Sequence, residues 1–256
     1  MTLPQLHIVL PERLQRFVPA AHRGLAFGIP AFDALLPIGL PRGQITALDA
    51  PLGSGGTALL LALAETTLRA DEGVAFVDAA RTLAPQAAAH LAGLGPFWVI
   101  RPRGTESAWW CADVLLRTGA FGLVVVDQPP PPVRAIAVRL QRLARDKDAV
   151  LVAREAGAGA TFGAALRLSV RASSSGFIPA VPGSGAAWPG PRIVRVTIEK
   201  GGAPRAAEVS VRAPLPHRLR PHWAVRDRRG EPAAGRRSLS GRGQRQRAAQ
   251  PDWPAR

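Results

Sequence analysis

The stretch DAPLGSGGTALLLALAE, residues 49–65, has the frame of a phosphate-binding loop running into a helix, and the fold can be read outward from it. It follows the apolar run QITALD (44–49), a candidate buried strand, and it opens TALLLALAETTLRAD (57–71), whose apolar spacing is helical. A loop of this kind needs small residues so that successive backbone N–H groups point at phosphate. It also needs a lysine for the β- and γ-phosphates and a Ser or Thr on Mg²⁺. Laid over residues 50–57, the template G-x-x-x-x-G-K-[ST] keeps Gly55 and Thr57 but finds Ala50 at the first glycine and Gly56 at the lysine. The pattern alone therefore fails, and the strand before it and the helix after it carry the inference.

Downstream, short β-branched runs alternate with helical patterns. VAFVDAA, FWVI, LVVVD (123–127) and AVLVARE read as strands. PQAAAHLAGL, SAWWCADVLLRTG and a segment near 133–145 read as helices. LVVVD is apolar throughout, as a strand covered on both faces should be. Such alternation predicts an α/β fold with a mostly parallel central sheet flanked by helices. AALRLSVRA, RIVRVTIEKGG and AEVSVRA have strand periodicity and no helix between them, which predicts antiparallel strands at the C-terminal edge. The expected organisation is an N-terminal extension and lead-in (1–43), an α/β core (44–213) and an Arg/Pro-rich disordered basic tail (214–256).

Composition narrows the function classes. With 256 residues and 47% apolar content the chain can bury one good core. The single cysteine, Cys111, rules out a disulfide framework or a cysteine-rich zinc site and is read as a core thiol. The histidines lack zinc-ligand spacing, so no metal site is expected. No apolar run of 18 or more residues and no secretion-signal pattern is visible, so the expectation is a cytoplasmic protein without a membrane partner. The formal charge of +15 is uneven, because 13 of the 33 basic residues but only 4 of the 18 acidic ones lie in residues 201–256.

LPRGQITALDAPLGSGGTALLLAL, GVAFVDAARTLAP, ADVLLRTGAFGLVVVD and VRVTIEKGGAPRAAEVSV together resemble, in order and spacing, the ATPase core of RecA recombinases across residues 27–211. FGIPAFDALLPIGLPRG likewise resembles the segment that precedes the first core strand there. The resemblance implies a nucleotide site at Gly53, Ser54, Gly55, Gly56 and Thr57, with Asp127 as a Mg²⁺-directed carboxylate. It also implies a water-activating glutamate where this chain has Ala80, and two mobile DNA-binding loops that are much shortened here, as QPPPPVR and AGAGATFG. With the lysine and the glutamate both replaced, the expectation is a pseudo-ATPase with no catalytic residues and no cofactor. Residual ATP or ADP binding by the loop backbone stands as the alternative to a purely structural turn. Glu106, Arg103 and Arg134 are near enough in sequence to be substitutes.

A RecA-like core with both positions lost, short loops and a basic tail resembles the ImuA family of accessory proteins in DNA-damage-induced mutagenesis. That resemblance implies a role in the SOS response and translesion synthesis. The implied partners are RecA, an ImuB-type inactive Y-family polymerase homologue and an error-prone replicative-type DNA polymerase, at the nucleoid when active. The tail arginines Arg226, Arg228, Arg229, Arg236, Arg237, Arg242, Arg245 and Arg247 have two binding uses open to them beside an inert, solubilising one. They could contact DNA phosphates non-specifically, or form a docking segment with Trp223 and Trp253 as anchors. Other residues have structural readings beside functional ones: Asp127 as a sheet-end carboxylate, Asp78 as a structural loop-tip acid, residues 129–132 as a rigid proline loop, and one of Trp109 and Trp110 as a core residue with the other exposed.

Overall fold

In the computed structural model, residues 24–155, 163–179 and 187–211 are described. Contacts divide the chain into Met1–Arg220 and Pro221–Arg256, and every described residue belongs to the first unit.

Helix α1 (Pro30–Leu35) precedes strand β1 (Ile45–Asp49), and α2 (Gly56–Arg69) follows it. Then come β2 (Gly73–Asp78), β3 (Phe97–Ile100), α3 (Ala108–Thr118), β4 (Phe121–Asp127), α4 (Arg134–Asp146) and β5 (Val150–Glu155). Strands β6 (Leu166–Pro179), β7 (Ala187–Lys200) and β8 (Ala206–Val211) end the described chain. They form one eight-stranded sheet in the order β3-β2-β4-β5-β1-β6-β7-β8. Pairing is parallel from β3 through β6 and antiparallel for β6–β7 and β7–β8.

Successive side chains of a strand point to opposite faces, so each central strand serves two cores. Val74, Phe76, Leu123, Val125, Val150 and Val152 pack with Leu59, Leu60, Leu63, Ala64 and Leu68 of α2. Their neighbours Ala75, Val77, Val124, Val126, Leu151 and Ala153 pack with α3 and α4 through Trp109, Ala112, Leu116, Leu140 and Ala144. Burying one such leucine contributes about 1.5–3 kcal/mol, so α2 is held chiefly by its apolar face. On the second face the β6–β8 ladder has no covering helix among the described residues, and Arg171, Ser173, Arg195 and Glu208 are exposed there.

Two local expectations change. PQAAAHLAGL forms only a 3-10 helix, Pro85–Leu91, which ends as Ala92 turns extended and Gly93 takes φ 84°. Its apolar side chains fall on Ala87, Ala88 and Leu91, too few to anchor several α turns. The first of the three late strands is not antiparallel to the sheet's core: β6 pairs in parallel with β1, and the reversal comes one strand later. The lead-in also packs as part of the core, with Leu25, Phe27, Phe32, Leu35 and Leu40 all buried. The arginine tail and the loop 156–162 lie outside the described residues.

Candidate functional site: a loop closed by an internal arginine

In a parallel sheet the carboxyl ends of neighbouring strands lie side by side, and the register fixes which residues meet. Asp78 of β2 is level with Asp127 of β4, and Asp127 is level with Arg154 of β5. Asp49 of β1 is level with both Glu155 and Ser169. The loop 50–55 leaves β1 at this edge and enters α2, so Thr57 reaches the same place as Asp127.

What joins them is Arg154, which is 1% exposed. Its Nη1 donates to Thr57 Oγ1 at 2.8 Å and to the Asp127 carboxylate at 2.9 and 3.2 Å, while Nε donates to the Ala50 carbonyl at 3.0 Å. The carboxylate also accepts from Thr82 Oγ1 at 3.3 Å. Burial pushes the Asp127 carboxyl above its ordinary range, against the pull of Arg154, and nearby Asp78 adds to the rise. Gln128 follows at φ 52°, and its N–H donates to the Arg154 carbonyl at 2.8 Å, tying the two strand ends together.

The substituted loop positions now have a steric meaning. A Cβ at Gly56 would come 2.5 Å from the Ala50 Cβ and 3.1 Å from Arg154 Nε. The methyl that the template withholds at its first position is present at Ala50, and the side chain that it demands at the lysine position is absent. Gly55, the α2 N-cap, sits at φ 96°, and a Cβ there would press on Val194 Cγ1 at 2.6 Å. Arg192 donates to the Gly53 carbonyl at 2.6 Å, Ser54 N–H to the Pro51 carbonyl at 3.0 Å, and Gly56 N–H reaches Ser54 Oγ at 3.4 Å. The loop is thus packed on β7 and pinned by two arginines from opposite sides.

The remaining edge carboxylates are similarly engaged. Asp78 is fully buried, accepts from the N–H groups of Thr82 and Leu83, and pairs with Arg101 Nε at 2.9 Å. Asp49 pairs with Arg171. Glu155, half-buried beside Asp49, has its carboxyl pushed up to about 7, chiefly by burial, with Arg167 opposing and Asp49 adding. Ala80 lies exposed in the turn after β2 and brings no acid to the edge. Among Glu106, Arg103 and Arg134, no contact to Thr57 or Asp127 is seen. A Mg²⁺ ion held by a loop threonine and a strand-end aspartate would need the space between Thr57 and Asp127. That space holds a guanidinium, so the donor set here does not fit a Mg²⁺–nucleotide.

Of the site residues read from sequence, Gly56, Thr57 and Asp127 come together, around Arg154, whereas Gly53 is exposed and hydrogen-bonded to Arg192. Arg154 carried a signal all the same: an arginine directly following the buried apolar run VLVA of a central strand must find a counter-charge if it is buried too. The bland alternatives hold elsewhere. Asp78 is a structural acid. Trp109 is 4% exposed and donates to the Pro130 carbonyl at 2.7 Å, bracing the proline loop, while Trp110 is 68% exposed. Cys111 is half-buried at the edge of the core, its thiol pushed up by burial. Two cavities, of about 400 and 540 Å³, lie away from the loop, one lined by Leu35, Ile38 and Ile198 and the other by Leu83, Leu91 and Phe97. Among the described residues no helix is long and apolar enough to cross a membrane.

Comparison with known proteins agrees with this architecture. Residues 23–139 match the model of the RecA N-terminal domain. The chain is 39% identical over 102 residues to Protein RecA of Clavibacter michiganensis subsp. michiganensis, covering 39% of this chain and 28% of that one. It is 35% identical over 105 residues to Protein RecA of Streptomyces venezuelae (40% and 28%), and 41% over 91 residues to Protein RecA of Treponema pallidum (35% and 22%). The matched stretch thus spans less than a third of each relative. The crystal structure of the RadB recombinase superposes with a TM-score of 0.53 at 20% identity, covering 71% of this chain and 91% of that one. The fold is RecA-like, and the sequence likeness in the N-terminal half relates the chain to the RecA-like recombinase superfamily.

Proposed function

We propose that this chain is a non-catalytic RecA-like accessory protein that acts through protein–protein contacts in the SOS-type response to DNA damage and in translesion synthesis. The observation that carries the non-catalytic part is the buried Arg154 guanidinium bridging Thr57 and Asp127. Gly56 and Ala80 support it, since the groups that would contact phosphate and activate water are missing. The protein presents a recombinase-shaped surface without nucleotide turnover. Its partners in this proposal are RecA, an ImuB-type inactive polymerase homologue and an error-prone replicative-type polymerase, in the cytoplasm at the nucleoid. The ImuA family likeness behind that set comes from the degenerate loop, the short inter-element loops and the basic tail.

The test has two arms. Purified full-length protein with Mg²⁺–ATP and single-stranded DNA should release no phosphate above background. In pull-downs at micromolar concentration it should retain RecA or the ImuB-type protein. DNA-stimulated turnover lost in Thr57→Ala would favour a divergent ATPase instead. Absence of any association would remove the accessory role.

A second activity, non-specific DNA contact through the arginine-rich tail, is favoured by the excess of positive charge in residues 201–256. It predicts binding that weakens steeply with salt.

A further inference from the structure

We infer that Arg154 is a built-in replacement for the cation of a nucleotide complex, holding the loop, Thr57 and Asp127 in the closed arrangement permanently. This deepens the non-catalytic reading and rests on it. In loops of this type a bound Mg²⁺ joins the helix-start hydroxyl to the strand-end carboxylate, and phosphate-bound lysine completes the charge. Here one guanidinium nitrogen, Nη1, makes both the hydroxyl and the carboxylate contacts, and Nε takes the Ala50 carbonyl at the mouth of the loop. The planar donor fork suits this set, because it reaches an oxygen on three separate elements at once. Nor is the arginine a guest in a site otherwise ready for nucleotide. Gly56 leaves the room that its Nε and Cδ occupy, and Ala50 fills the space a Cβ at position 56 would need. The consequence is a recombinase-like edge whose order does not depend on ligand, so partners meet one conformation whatever the nucleotide level.

The experiment is chemical rescue in the full chain. Arg154→Ala vacates the cation position and leaves Asp127 beside Asp78 without its partner, so the melting temperature should fall by roughly 10 °C. Millimolar Mg²⁺, or millimolar guanidinium, should then recover at least about half of that loss, while wild-type protein shifts by less than about 1 °C with either. Adding Asp127→Asn to Arg154→Ala should abolish the Mg²⁺ recovery. A merely space-filling arginine would not respond in this way, because a hydrated ion cannot replace lost packing. A folded Arg154→Ala protein that neither cation stabilises overturns the inference.

Should Arg154→Ala not fold, hydrogen exchange on the wild type decides. Amides of residues 50–57 should exchange equally with and without Mg²⁺–ATP, and slowing by Mg²⁺–ATP overturns the inference. Pull-downs on the same wild-type protein separate this outcome from failure of the accessory role, since cation rescue and partner retention are read independently.

Discussion

At the scale of single residues, Ala50, Gly56 and Arg154 constrain one another. Gly56→Lys, the change that would restore the motif's lysine, places its Cβ 2.5 Å from the Ala50 Cβ and 3.1 Å from Arg154 Nε. It should destabilise the protein by about 1–3 kcal/mol in urea titration and confer no ATP hydrolysis, and adding Ala50→Gly should recover part of that loss. Glu155 gives a pH-dependent counterpart. Its folded carboxyl titrates at about 7, above the ordinary 4.5, so between those values the folded state holds more proton than the unfolded one. Stability contributed by this group is therefore full below about pH 4.5 and is lost as pH rises toward 7. Glu155→Gln should melt higher than wild type at pH 8, with the gap closing by pH 5. A constant gap across that range would show that the carboxyl is not held neutral by its surroundings.

At the scale of elements, the strand–loop–helix unit was legible because QITALD is a short apolar run ended by a glycine-rich loop and TALLLALAETTLRAD has helical apolar spacing over a helix's length. The same holds for β4 and β5, whose apolar runs demand cover on both faces, and for the Trp109/Trp110 pair, where one helix position faces in and its neighbour cannot. What escaped were facts of register. That Asp127 and Arg154 stand level, or that β6 joins β1 in parallel before the sheet reverses, is set by strand neighbours distant in sequence, and periodicity within a strand says nothing of them. The 3-10 helix departs from its sequence pattern for a related reason: an alanine-rich run has strong α propensity, but Pro85–Leu91 buries too little to sustain it. The loop also predicts its own fragility. Gly55→Ala places a side chain at φ 96° against Val194 and should cost about 1–3 kcal/mol in chemical denaturation, most of it local to the α2 start.

At the scale of the whole molecule, the charge is divided between a core edge where acids and arginines neutralise each other and a C-terminal stretch where arginines predominate. Asp78–Arg101, Asp127–Arg154 and Asp49–Arg171 make up that edge. Removing residues 214–256 should therefore abolish salt-sensitive DNA retention in a mobility-shift assay while leaving the melting temperature of the core within about 2 °C of wild type. Equal DNA binding by the truncated protein would place the contact on the core. The mutual fit of Ala50, Gly56 and Arg154 also has a consequence for descent. On the proposed function, a lineage carrying all three meets a cost at each single step toward a working ATPase: lysine at 56 collides with Ala50 and Arg154, and loss of the arginine leaves buried Asp127 without its ion-pair partner. On that reading, each first step backward lowers stability before any activity returns, so the arrangement behaves as a ratchet.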